Sequence, residues 1–220
     1  MKTAAQKISF PLSIAVILWF LMFSPWTSSH LNFWLTMSFA AVSLTSLAIV
    51  FSPEEERKSL TGVKGLSGTE LIKQILTGLV LAGILWFVFW VGDKISQMLF
   101  CFARPQVDSV YAMKEGLPSW LIALLLLLVI GPAEEIFWRG FIQRNAAGFF
   151  KKGAGDKAFL FTIAFYTFVH LWSCNFMLIM AAMVAGCVWG FLYRLRPDML
   201  PALIVSHAVW DALVFIVFPI

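Results

Sequence analysis

The sequence predicts an all-α polytopic membrane protein, a bundle of about seven transmembrane helices, on three observations. Of its 220 residues, 60% are hydrophobic and only 13% are charged, and mean hydropathy is +0.86. The apolar residues fall in runs of the length that crosses a hydrocarbon core of about 30 Å, about 20 residues at 1.5 Å each. Phe (22) and Trp (10) are abundant, as expected where aromatic rings mark both membrane–water interfaces. A chain of 220 residues holds one such bundle, so 1–220 reads as a single membrane domain.

The predicted spans are 8–24, 31–51, 70–92, 117–148, 158–173, 176–194 and 199–218. Lys2 and Lys7 precede the first apolar run, Ile8 to Phe23. Ser24-Pro25-Trp26-Thr27 follows, with no small-x-small cleavage site, so the run reads as a retained helix rather than a signal peptide. The fourth run is long and continues as a polar helix. With the N-terminus inside, twelve Lys and Arg fall on the inner side against three on the outer (Lys94, Arg104 and Lys114), and an intramembrane Arg139 completes the 16. That bias predicts an N-in, C-out chain, and it accounts for the net charge of +4 without a nucleic-acid partner. The segment 52–69, opening on Pro53-Glu-Glu-Glu-Arg-Lys58, is a solvated surface loop. The segment 93–116 is the longest outer connection and a candidate cover for the bundle. Ala182, Gly186 and Gly190 recur every four residues and form a stripe that lets a neighbouring helix pack closely. Cys101, Cys174 and Cys187 form no metal or CxxC spacing, and Cys187 reads as a small hydrophobe. His30 lies in a short outer loop near Trp26 and reads as interfacial.

Against this apolar background, Glu134, Glu135 and Arg139 stand out. A charge at the bilayer centre costs roughly 2.5–3.5 kcal/mol on the insertion scale, so three of them together imply a reaction, a proton path or an ion path. Glu135 and Arg139 are four residues apart and share a helix face, which makes an ion pair natural. Glu134 is turned about 100° away and is the carboxylate free for chemistry. Pro132 lacks an N–H and crowds the preceding turn, which predicts a kink there. A second half-helix would then begin at about Pro132, with both glutamates in its first turn. Tyr166 and His170 form a further pair four residues apart, as do His207 and Asp211. At 1.5 Å per residue, Glu134 and His170 lie roughly 20 Å from the inner helix ends and His207 roughly 14 Å, which predicts one buried polar cluster. Gly153-Ala-Gly-Asp156 matches the GxGD pattern of aspartyl proteases, but that chemistry needs a second aspartate. Asp156 reads instead as a turn and N-cap residue. Neither HExxH nor GxSxG is present.

Glu134-Glu135-Ile-Phe-Trp-Arg139, then Tyr166-Thr-Phe-Val-His170, then His207-Ala-Val-Trp-Asp211 resembles the CPBP family, the CAAX-protease and bacteriocin-processing intramembrane peptidases. The resemblance spans about 117–215, which would be the catalytic core. It implies a glutamate-dependent endopeptidase that acts within the bilayer on a peptide or membrane-protein substrate. Glu134 would activate water, with His170 helping to hold it. His207 and Asp211 would bind the oxyanion or fix its surroundings, and Glu135, Arg139 and Tyr166 would support them. Tyr166 stands where the family usually has Phe, and Asp211 where Asn is common. An ionised Asp cannot donate to an oxyanion. The resemblance implies no cofactor; a zinc ion on Glu134, His170 and His207 is the alternative. The compact chain suggests a bacterial cytoplasmic membrane rather than a prenylated CAAX substrate. An immunity or scaffold protein of the same fold and a proton or ion carrier are the competing readings.

Overall fold

The computed structural model describes residues 4–220; Lys2, counted in the charge bias above, lies outside them. Regular structure among the described residues is helical throughout. The main helices are α1 (Ala4–Phe23), α2 (Phe33–Phe51), α3 (Gly68–Leu99), α4 (Ala103–Ala112), α5 (Ser119–Phe149), α6 (Ala154–His170), α7 (Phe176–Leu195) and α8 (Pro197–Val217). Five of them, α2, α3, α5, α7 and α8, are long and apolar enough to cross a membrane. The apolar part of α1, Lys7–Phe23, is shorter, and α6 has 17 residues. The chain is therefore a polytopic, multi-pass membrane protein.

Local chemistry sets where these helices begin. Ser67 and Glu70 form a reciprocal capping box at the start of α3. The Asn32 and Asn175 side chains accept from Leu35 and Leu178 N–H at the starts of α2 and α7. Gly153, in the left-handed region at φ 63°, precedes α6. Asp156 is not the N-cap expected of it; it pairs across the surface with Arg194 at 2.6 Å.

Two expectations about element shape need correction. The span predicted over 70–92 runs on to Leu99, giving a helix of 32 residues, about 48 Å at 1.5 Å per residue. The polar Gly92-Asp93-Lys94 looks like a helix end, but Gln97 donates to Asp93 one turn on and the helix continues. The segment 93–116 thus holds the end of α3 and the whole of α4 rather than an open loop. In α5 the dihedrals stay helical through Pro132. The missing N–H is accommodated by wider π turns at Leu126–Ile130 and Ile136–Gln143, and α-helical register resumes at Gly131. Glu134 and Glu135 consequently sit within a continuous helix, not at a fresh helix end with free N–H groups.

α5 and α8 are the most buried of the five long helices and α3 the least. Glycines bring the backbones together at their crossings. A Cβ on Gly131 would lie 2.6 Å from Ala208 Cα on α8, and one on Gly78 of α3 would lie 2.6 Å from Ala202 O. Trp19, Trp34, Trp138 and Trp189 are fully buried among these helices.

Candidate active site

All seven residues singled out in the sequence are buried, and α5, α6 and α8 bring them into one cluster. Glu134 Oε2 accepts from the Tyr166 hydroxyl at 3.1 Å, which ties α5 to α6. Glu134 Oε1 makes no hydrogen bond among the described residues. Glu135 Oε1 accepts from Arg139 Nη1 at 2.8 Å, as the four-residue spacing predicts, and also lies 2.8 Å from His207 Nδ1. Glu135 is thus the residue that joins α5 to α8, more than a brace within its own helix. A carboxylate oxygen only accepts, so His207 Nδ1 carries the hydrogen. His207 Nε2 lies 3.5 Å from Asp211 Oδ2, and the Trp189 ring stacks on the imidazole at 4.0 Å between centroids.

His170 is held differently. Its Nδ1 lies 2.7 Å from the Tyr166 carbonyl, an acceptor, so Nδ1 carries the hydrogen here too. Trp19 Nε1 donates to the remaining lone pair on Nε2 at 3.4 Å. Arg139 lies against the faces of Tyr166 and Trp189, with Cζ 4.9 and 5.6 Å from the ring centroids, and its Nη2 donates to Gly186 O. The small-residue stripe on α7 therefore supplies acceptors as well as close packing: Gly190 O also accepts from Gln143 Nε2 at 2.8 Å.

Glu134, Tyr166, His170, His207 and Asp211 line one cavity of about 380 Å³. Its other walls are largely apolar and come from α1 to α4, α7 and α8. Among the described residues no group of three or more His, Cys, Asp or Glu side chains is placed to hold a metal ion; His207 Nδ1 lies against Glu135 and His170 Nε2 against Trp19.

Three contributors escaped the reading of the sequence. Gln143 stands four residues beyond Arg139 and was open to discovery by extending that interval. Trp19 had no local signal, because its role depends on which distant helix it meets, and Asp93 fell just past the end of the span predicted over 70–92.

A buried glutamate–histidine cluster beside a cavity in a helical membrane protein defines a class of intramembrane sites. Residues 116–213 match the family model described as Rce1-like, type II CAAX prenyl endopeptidase. The matched segment carries all three motifs, and the family it matches, a family of proteases, is the CAAX-protease (CPBP) family that those motifs resemble. No curated protein and no solved structure matches the chain.

Proposed function

We propose that this protein is an intramembrane endopeptidase in which Glu134 activates water. The observation that carries the reading is the placement of Glu134: buried on α5, fixed through Oε2 by Tyr166, and on the wall of the same cavity as His170, His207 and Asp211. A general base needs hydrogen-bond reach to water, and the developing oxyanion needs a donor beside it.

In the proposed reaction Glu134 Oε1 takes a proton from water and the hydroxide oxygen bonds to the scissile carbonyl carbon. The carbonyl electron pair moves onto oxygen. His207, oriented by Glu135 through Nδ1, presents Nε2 to that oxyanion when Nε2 is protonated, and Asp211 orients the same nitrogen. The C–N bond then breaks, the proton held by Glu134 passes to the leaving amine, and the carboxylate is regenerated. His170, fixed by the Tyr166 carbonyl and Trp19, borders the water position. No step requires a metal or another cofactor. The substrate is a membrane-associated peptide or a leader- or tail-bearing protein. Its prenylated form is included because the matched family is described by that substrate and the cavity walls are largely apolar. The membrane is the bacterial cytoplasmic membrane.

The test compares peptide termini of membrane proteins in host cells carrying wild type or Glu134→Ala at equal expression. New termini present only with wild type are expected, and they name the substrate and the bond. Identical termini across conditions would favour an immunity or scaffold role of the same fold.

A further inference from the structure

The cavity that holds the candidate active site has a second polar pole. Asp93, on α3, lines the same cavity and is 6% exposed. A buried carboxylate without a full set of hydrogen-bond partners is costly. The partners of Asp93 are incomplete. Gln97 donates to Oδ2, and Lys94 Nζ lies 3.5 Å from that same oxygen but its side chain is 53% exposed. Oδ1 is buried and has no partner among the described residues. The charges around the cavity are one-sided. Asp93, Glu134 and Asp211 line it, and no Lys or Arg does.

The helix crossings give the distance between the poles. α3 and α8 run side by side in the same direction and touch at Gly78 and Ala202. Asp93 stands fifteen residues beyond Gly78, about 22 Å at the helical rise. Ala208 stands six residues beyond Ala202, about 9 Å on the same scale. α5 runs the opposite way and meets Ala208 at Gly131, so Glu134, three residues further along, drops back by about 4.5 Å. The two carboxylates are then about 17 Å apart along the bundle, somewhat less once the helices cross. An extended peptide covers that distance in four to five residues at about 3.3 Å each.

We propose that Asp93 is a substrate-binding residue that accepts a Lys or Arg side chain four to five residues from the scissile bond, on one side of it. The inference rests on the proteolytic reading of Glu134. The basic group supplies the donor that Oδ1 lacks and offsets the negative balance of the cavity. A carboxylate on the same stretch of substrate would meet Asp93 and be disfavoured.

The experiment uses the cleavage sites that depend on Glu134, collected from membranes of cells carrying full-length wild type, Asp93→Asn or Asp93→Glu. Wild-type sites are expected to show Lys or Arg enriched at one position four or five residues from the cut. With a peptide representing such a site, replacing the basic residue by Gln is expected to lower kcat/KM by about tenfold, the scale of a hydrogen bond to a charged group. In Asp93→Asn the enrichment falls to background, and in Asp93→Glu it persists. Wild-type sites without a basic position, or an enrichment unchanged in Asp93→Asn, would overturn the inference while leaving proteolysis intact. Should Asp93→Asn fail to accumulate, the wild-type sites alone decide. An absence of any Glu134-dependent site would instead remove the proteolytic reading, and this inference with it.

Discussion

The Tyr166 hydroxyl donates to Glu134 Oε2, and this one contact distinguishes positioning from packing at the candidate active site. Tyr166→Phe keeps the ring that packs on Trp138 and Arg139 and removes only the donor. A hydrogen bond to a charged group is worth roughly 1.5–3 kcal/mol. Cleavage is therefore expected to slow by about tenfold or more in kcat, with KM and the melting temperature in detergent little changed. An unchanged kcat would mean that the base is positioned by the cavity walls alone. At this scale the sequence was informative where partners share a helix. The Glu135–Arg139 and His207–Asp211 pairs are both local spacings that the structure keeps. It was silent on Glu135–His207 and Trp19–His170, which join residues 72 and 151 positions apart. Neither pair shares a periodicity, so only the packing of α1 on α6 and of α5 on α8 reveals them.

Between elements, the geometry of the cluster depends on how closely α5 approaches α8. Gly131 permits that approach: its missing Cβ would lie 2.6, 2.9 and 3.0 Å from Ala208 Cα, N and Cβ, and backbone atoms at such distances cannot give way locally. Gly131→Ala is expected to push α5 from α8, lengthen the Glu135–His207 contact and lower both melting temperature and cleavage. Gly83→Ala is the matched control. Gly83 lies in α3 with nothing within 4 Å of its would-be Cβ, and alanine there gains roughly 0.5–1 kcal/mol of helix preference. Thermal melting of the two variants in the same detergent checks the contrast, and equal effects would sink it. Gly131 was visible in the sequence only as the neighbour of Pro132, where it suggested a break. The helix continues instead, because π turns on both sides absorb the proline. Such turns depend on packing around the whole helix and leave no residue signature. The length of α3 eluded the sequence for a related reason: a buried Asp93 with its own helical partner resembles a loop when read by composition.

For the whole molecule, the family match and the cavity have different extents. Residues 116–213 carry the three motifs, yet Phe23, Trp34, Asp93 and Tyr111 line the same cavity from helices outside that segment. Trp19 of α1 occupies the lone pair of His170. α3 covers α8 where Gly78 meets Ala202 and Val205. A segment 116–213 on its own would turn the buried faces of α5 and α8 toward lipid, with Glu135, Arg139 and His207 still inside them. Polar groups turned toward hydrocarbon are costly, because lipid offers no polar replacement for the enclosure that the missing helices supply. The segment expressed alone is therefore expected to be degraded or inactive. Co-expression of 1–115 as a separate chain is expected to restore cleavage of a substrate identified through Glu134→Ala, because the two pieces meet through helix faces rather than through the connecting loop. Trp19→Phe in the first piece should weaken that rescue by removing the donor to His170 while keeping a large ring. Full activity from 116–213 alone would show that α1 to α4 are a cover rather than a part of the site.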